Sequence, residues 1–434
     1  MMLERRQRMV ALRWVVVILL VVCLSSPVVS SETESSEEPS SKDDNSKKNT
    51  NDLLLEWVLS KGGYWNDKQT LGFDQNGIFG VFAAQHIQDN EILAQIPWSC
   101  VIHTTPPSKR RFDNCDTVTR LKDEFAKGNQ SDYHPYTQAL LETAQVHRSL
   151  LPAHWSAQGQ ELLKQVLATT IPPQDMFLTL DWKHRCEQVH KDATLLVMTH
   201  GEDFGMVPIT DRYNSRGGDY MGAYFAMAGK NNSQMALEIR AFRNLEPGEQ
   251  IFTDYHDYGQ IGTPELLRDY GFVELYPQKF IFHHLRVAFD IEVYNEAEDD
   301  DDEEQPVLQV TWLHQHEHMA YFHPREHYES QQSQQHIAVL IDFFQREHER
   351  LQQHVCPSLQ HTAQSNDSIP KQERDTTITF CHAVMVAMEA ALDDLGIPVP
   401  QPSNLRQLGI AMAPSQQRVD DTENCEDGNC SDEL

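Results

Sequence analysis

Met206-Val-Pro-Ile-Thr-Asp-Arg-Tyr-Asn214, then Ala236-Leu-Glu-Ile-Arg-Ala-Phe-Arg-Asn-Leu245, the turn Glu246-Pro247-Gly248-Glu249, the run Ile251-Phe-Thr-Asp-Tyr-His-Asp-Tyr-Gly259 and finally Pro264-Glu-Leu-Leu-Arg-Asp-Tyr-Gly-Phe-Val273: the reading of this stretch decides the fold. Leu237, Ile239 and Ala241 alternate with polar neighbours, the period of a half-buried strand, and Ile251 and Thr253 repeat the pattern on its expected partner. Pro247 presets the first central dihedral of a type II turn, and Gly248 accepts the positive one at the second. The expectation is a buried loop carrying Asp211 and Asn214, two strands joined by a tight turn, a Tyr-rich crossing segment and a short helix. That order places polar atoms and aromatic hydroxyls at strand ends, where a small-molecule site can be built.

An earlier stretch has the same character. Gly77-Ile-Phe-Gly80-Val-Phe-Ala83 leads through a polar turn containing Glu91 to a strand ending at Ile96-Pro97. Together the two stretches resemble the two halves of a SET domain, the fold of many protein methyltransferases. The family's first half reads roughly Arg-Gly-Leu-Phe-Ala, and Phe79-Gly80-Val81-Phe82-Ala83 stands in its place. Its second half carries Asp-x-x-Asn-His, Gly-Glu-x-Ile, Tyr-Gly and Tyr-Gly-Phe. This chain supplies Asp211 to Ser215, Gly248 to Ile251, Tyr255-His256 and Tyr270-Gly271-Phe272. Between Thr104 and Glu202 lies an insertion too long to be a structureless loop. Within it, His134 to Leu141 and Leu151 to Ser156 look like the helical insert of the Rubisco large-subunit and actin-histidine methyltransferase group. The resemblance implies an α+β chain, with a SET-domain β-fold over residues 51–275, its helical insert over about 104–202, and a mainly α-helical substrate-binding-like domain over 276–420.

The resemblance also implies the chemistry. Methyl transfer from S-adenosyl-L-methionine needs little from the protein beyond alignment, because the sulfonium already activates the carbon. Phe79, Gly80 and Val81 are cofactor candidates, since backbone without a Cβ can approach a ligand closely. Asp211, Asn214, Ser215, Tyr255 and Phe272 complete the expected cofactor shell, with Phe272 as an apolar wall. Tyr255 corresponds to the catalytic tyrosine, whose hydroxyl orients the incoming amine and holds the methyl through weak CH···O contacts. A lysine nucleophile must first lose its proton, at about 4.6 kcal/mol from a reference pKa of roughly 10.4 at pH 7. A histidine acceptor avoids most of that cost. Three positions depart from the family: Phe79 replaces Arg, Ser215 replaces His, and His256 replaces the Gly after the catalytic Tyr.

Composition bounds the partners and the compartment. With 65 acidic against 35 basic residues among 434, the net charge of −30 repels phosphate backbones, so nucleic acid is not expected as a partner, while the resemblance implies a protein substrate. The one concentrated basic patch past the leader, Lys109-Arg110-Arg111, reads as surface loop. Arg5 to Arg13 followed by the apolar run Trp14 to Leu24 reads as a signal peptide over 1–30, leaving no membrane span after cleavage. Residues 31–50 read as a disordered, acidic and Ser-rich leader. The tail 421–434 ends Ser431-Asp432-Glu433-Leu434, similar to a retrieval address of the endoplasmic-reticulum lumen. Sequons at Asn129, Asn231, Asn366 and Asn429 agree with lumenal exposure and glycosylation. Without Cys23 seven cysteines remain, so at least one thiol lacks an internal partner, and Cys356 with Cys381 or Cys425 with Cys430 could pair.

Two other readings stand beside the enzyme. A degenerate SET fold that binds a peptide or partner in the lumen is favoured by Ser215 and opposed by the retained Asn214 and Tyr255. A His-rich metal protein rests on His314-Gln-His316-Glu-His318, whose alternation would place three imidazoles on one strand face. With no evident fourth ligand, a polar surface is preferred there and no metal site is assigned.

Overall fold

The computed structural model describes residues 49–75, 77–103, 115–173, 186, 188–202, 205–229, 235–256, 261–296, 305–316, 319–324, 330–365, 368–399 and 403. The expected signal segment, the leader up to residue 48, Lys109 to Arg111, the acidic run 299–304, His318, His327, Cys425, Cys430, the tail, and the sequon residues Asn231, Asn366 and Asn429 lie outside them.

Helix α1 (Thr50–Ser60) begins on an Asn49 cap, whose side chain accepts from the Asp52 amide, and buries Leu54 and Val58. Strand β1 (Tyr64–Trp65) leads to a hairpin of β2 (Gln69–Phe73) and β3 (Phe79–Ala83), followed by β4 (Ile92–Pro97) and β5 (Ile102–His103). The insertion folds as helices α2 (Asp116–Lys127), α3 (His134–Leu150), α4 (Ala157–Leu167) and α5 (Lys191–His200). Short strands β6 (Gly201–Glu202) and β7 (Gly205–Met206) then pair with β5 in the order β5-β7-β6. Strands β8 (Ala223–Ala228) and β9 (Ala236–Ala241) complete an antiparallel sheet ordered β1-β4-β9-β8, and α6 (Thr263–Tyr270) follows.

The alternation expected in β9 is present: Leu237, Ile239 and Ala241 are buried to zero exposure. The turn is present as well, with Gly248 at φ 89° and the Glu249 amide bonded to the Glu246 carbonyl. The partner differs from expectation. β9 lies between β4 and β8, and the run from Gly248 onward does not fold back on it. That run instead bridges two other segments. The Ile251 amide donates to the Val81 carbonyl, Thr253 donates to Asn214, and the Gly222 and Ala223 amides donate to Phe252. Alternation announces that a segment is extended, but the neighbour that satisfies its backbone is chosen by tertiary closure.

After residue 277, β10 (Gln278–Phe282), β11 (Val287–Glu296) and β12 (Gln305–Trp312) form a meander, and β13 (Gln315–His316) pairs with β14 (Met319–Ala320). Helices α7 (Gln331–Arg350), α8 (Cys356–Ser365) and α9 (Lys371–Asp394) follow, within the region that the resemblance implied to be mainly helical. The Cys356–Cys381 bond joins α8 to α9 with Cα atoms 5.9 Å apart, and a second disulfide, Cys115–Cys186, closes the insertion at 5.3 Å. Cys100 is a buried free thiol, pushed up to about 11 by burial.

Two large cores result. One packs α1, the β1-β4-β9-β8 sheet and the inner faces of α2, α3 and α5, through residues such as Val58, Ile96, Leu140, Leu196 and Ile239. The other gathers Trp155, Leu163 and Val166 with Leu267, Phe280, Phe289, Phe344, Phe380 and Met388. Successive residues of a helix point about 100° apart. Thus Leu267 of α6 enters the second core, while its neighbour Leu266 joins a small separate cluster with Tyr255 and Tyr270.

Candidate active site

The small cluster holds Tyr255 and Phe272 of the expected site residues, and the loop carrying Asn214 and Ser215 is bonded to it through Tyr255. Asn214 follows the turn Thr210–Arg212, is 7% exposed, and donates through Nδ2 to the Phe79 carbonyl at 2.8 Å. This bond ties the 214 loop to β3. Next to it, Gly80 lets two side chains close on its backbone: an added Cβ would lie 2.4 Å from Gln250 Nε2 and 2.8 Å from Asn214 Nδ2. The side-chain amides of Asn214 and Gln250 therefore converge on bare backbone. Gln250 Nε2 is buried and makes no hydrogen bond, an uncommitted donor pair of the kind that a ligand acceptor satisfies.

Tyr255 is 1% exposed. Its amide donates to Ser215 Oγ at 3.2 Å and its hydroxyl to the Tyr213 carbonyl at 3.0 Å. With its proton committed to a backbone carbonyl, the phenol oxygen can act toward an incoming amine only as an acceptor. The Tyr255 ring lies 5.5 Å from Tyr270 and 6.4 Å edge-on from Phe272, so the phenol stands against an aromatic wall. Arg216, two residues past Asn214, stacks on Tyr220 at 3.4 Å and donates twice to the Tyr276 carbonyl. The 214–216 strip is thereby fastened to the chain that follows Phe272.

The three departures from the family pattern have distinct consequences. The Phe79 ring packs edge-on against Phe73 at 5.1 Å, while its carbonyl keeps the contact to Asn214. Ser215 spends its hydroxyl on the Tyr255 amide. His256 is buried with Nδ1 2.6 Å from Asp254 and Nε2 2.9 Å from Glu274. Burial alone would lower its pKa, but the Glu274 and Asp254 charges outweigh that and push it up to about 10.

Val81 and Asp211 stand apart from this convergence. Val81 is fully buried in the first core, contributing its carbonyl to Ile251. Asp211 turns its carboxylate toward His200 (3.6 Å) and Arg212 (3.6 Å), and burial raises its pKa. His200 stacks on His147 with centroids 4.4 Å apart. Burial, then the Arg212 charge, pushes His147 down to about 3; burial, His147 and Arg212 lower His200. This is a buried polar junction between α3, α5 and the 206–214 segment.

Sequence reasoning missed Gln250 as a site residue and missed the role of His256. For Gln250 the available signal was its place inside Gly248-Glu249-Gln250-Ile251; for His256 the replacement of glycine itself was the signal. In the His-rich stretch, His314 stacks on His323 at 4.2 Å, while the side chains of His316 and His318 are outside the described residues. Among the described residues no group of three or more His, Cys, Asp or Glu is arranged to hold a metal ion, and no helix is long and apolar enough to cross a membrane.

Residues 78–256, a segment that contains Gly80, Asn214 and Tyr255, match the family model of the SET domain. Among solved structures, the SET domain of LSMT bound to methyl-lysine and AdoHcy is similar at 12% identity, covering 83% of this chain and 99% of that one, with a TM-score of 0.43. Rubisco LSMT bound to sinefungin and monomethyllysine is similar at 13% identity, covering 84% and 98%, with a TM-score of 0.43. Rubisco LSMT bound to AdoMet is similar at 12%, covering 83% and 99%, with a TM-score of 0.40. No curated protein matches the sequence.

Proposed function

We propose that this SET-domain chain is an S-adenosyl-L-methionine-dependent protein methyltransferase of the Rubisco large-subunit methyltransferase-like group, acting on lysine. The observation that carries the reading is the meeting of the Asn214 and Gln250 amides on the bare backbone of Gly80, with Tyr255 bonded to Tyr213 and Ser215 on either side of Asn214. These residues fit the cofactor: Gly80 lets the Asn214 and Gln250 amides lie close against its backbone, and the buried Gln250 Nε2 is a donor with no partner of its own. When bound, the cofactor would supply a methyl group already activated by its sulfonium.

The chain's own residues then divide the work. β3 backbone at Phe79 and Gly80, with Asn214 and Gln250, would hold the donor. Tyr255 Oη, unable to donate further, would orient the lysine amine through its lone pairs. Phe272 and Tyr270 would exclude water, which favours the neutral amine over the ammonium. No dedicated base is assigned. The test is calorimetric titration of the full chain with S-adenosylmethionine, together with transfer of label from the tritiated donor to protein. Binding that persists in Tyr255→Phe while transfer drops by about 10²-fold is the expected result, in keeping with the cost of a misplaced reactant. Absence of heat and of any thermal shift at millimolar cofactor would sink the enzyme reading.

The degenerate reading is favoured by one observation, the commitment of Ser215 to the Tyr255 amide where the family has a histidine. It requires the same titration to be silent. As for compartment, the reading proposed is the lumen of the endoplasmic reticulum. Two disulfides support it, since such bonds persist in oxidising surroundings. Asn129 also sits exposed in the short turn Gly128–Gln130, open to glycosylation. Deglycosylation with an amidase should shift the secreted-pathway protein on a gel, and Asn129→Gln should abolish one step of that shift.

A further inference from the structure

His256 occupies the position next to the candidate catalytic tyrosine, and both of its ring nitrogens face carboxylates: Asp254 at 2.6 Å and Glu274 at 2.9 Å. A neutral imidazole can donate from only one nitrogen, so a ring flanked by two acceptor-only groups is the doubly protonated cation. The far carboxylate is itself fixed. Glu274, with its side chain 1% exposed, accepts from Thr263 Oγ1 of α6 at 2.6 Å. The near one, Asp254, is 40% exposed and also receives the His256 amide at 3.0 Å. Gly217 closes over the ring: a Cβ there would lie 3.3 Å from His256 Cε1. The other charge facing this group is Lys279 of β10, which acts on Asp254 and is itself paired with Asp290.

The clasp therefore joins two chain segments, 254–256 and 270–274, whose aromatic rings form the site. Tyr255 comes from the first, Tyr270 and Phe272 from the second, and no backbone hydrogen bond among the described residues links these two stretches directly. We propose that His256 is a positioning residue which, held as a cation between Asp254 and Glu274, fixes Tyr255 against Phe272 and so governs the rate of methyl transfer, leaving donor affinity unchanged. The effect on transfer rests on the methyltransferase reading above; the clasp itself does not. Where the family pattern relies on a glycine turn, this chain uses an ion triad.

The experiment uses the full chain, His256→Gln and Glu274→Gln. Three measurements are made on each: imidazole nitrogen resonances of histidine-labelled protein, titration with S-adenosylhomocysteine, and label transfer from the tritiated donor between pH 6 and 10. A pair of protonated ring nitrogens, absent from His256→Gln, should persist in the wild type at pH 8. His256→Gln and Glu274→Gln should bind S-adenosylhomocysteine within 3-fold of wild type yet transfer at least 10-fold more slowly. The wild-type rate should carry no downward inflection between pH 7 and 9, which a merely structural histidine would not dictate. A single protonated nitrogen at pH 8, or wild-type transfer rates in His256→Gln, overturns the proposal. If His256→Gln fails to fold, Glu274→Gln with the wild-type resonances decides. If the wild type binds no S-adenosylhomocysteine, the methyltransferase reading falls separately. Hydrogen exchange over 251–256 and 261–276, expected to rise at least 10-fold in His256→Gln and unchanged if the clasp is idle, then judges the positioning claim alone.

Discussion

Asn214 and Gly80 show how little room the site leaves for change. Gly80→Ala puts a Cβ at 2.4 Å from Gln250 and 2.8 Å from Asn214, both ends of side chains that can turn away. The expected loss of stability is therefore modest, about 1–3 kcal/mol. The thermal shift produced by S-adenosylhomocysteine should nonetheless vanish, because the displaced amides are the ones that would hold the ligand. A shift equal to wild type would remove Gly80 from the site. Asn214→Ala severs the 2.8 Å bond to the part-buried Phe79 carbonyl. Chemical denaturation should register about 1–3 kcal/mol, with donor affinity reduced at least about 10-fold. Neither Gln250 nor the Tyr255-to-Ser215 bond was legible in the primary structure. A glutamine inside a Gly-Glu-x-Ile pattern has no local signature that distinguishes a site donor from a surface amide.

At the scale of elements, α6 is the hinge pin of the site. Its Pro264 sits in the first turn, and its Glu265 carboxylate accepts from the Gly262 amide at 3.0 Å. The helix ends at Gly271 with φ 81°, where an added Cβ would meet the Leu150 carbonyl oxygen at 2.5 Å. Gly271→Ala thus combines left-handed strain with a clash against backbone that cannot swing aside, and should cost more than about 2 kcal/mol, separating α6 from the end of α3. Burial pushes Glu265 up to about 7. A carboxyl whose folded pKa lies above its unfolded value stabilises the fold at low pH and loses that contribution as pH rises from 4.5 through 7. Glu265→Gln should accordingly flatten the part of the stability profile between pH 5 and 7, read from urea midpoints. The His256 term has the same sign for the opposite chemical reason. It is fully present below pH 6.5 and lost as pH rises toward 10.

For the whole molecule, acid is the weak side. His147 and His200 are buried as a neutral stacked pair beside Arg212, and both have folded pKa values below the ordinary 6.5. A group of this kind stabilises the fold above its unfolded pKa and must be charged on unfolding in acid. Each histidine should therefore remove stability as pH falls below 6.5, by up to about 1.4 kcal/mol per pH unit. His147→Phe, which keeps a flat ring in the stack, should roughly halve that slope between pH 6 and 4; an unchanged slope would show that the pair is not neutral in the native state.

What the residue order determined by itself was everything set by neighbours a few positions apart. The strand alternation at Leu237, Ile239 and Ala241, the Pro247-Gly248 turn, and the family order of Gly80, Asn214, Tyr255 and Phe272 could all be read from the sequence. Only the tertiary structure decided which backbone the run after Gly248 would satisfy. It also turned Asp211 toward His200, paired Cys115 with Cys186 across 71 positions, and made a buried cation of His256. The reason is physical: periodicity and turn chemistry are local and additive along the chain. Backbone pairing, desolvation and the meeting of charges depend on chain closure, which brings distant residues together and excludes water from around them.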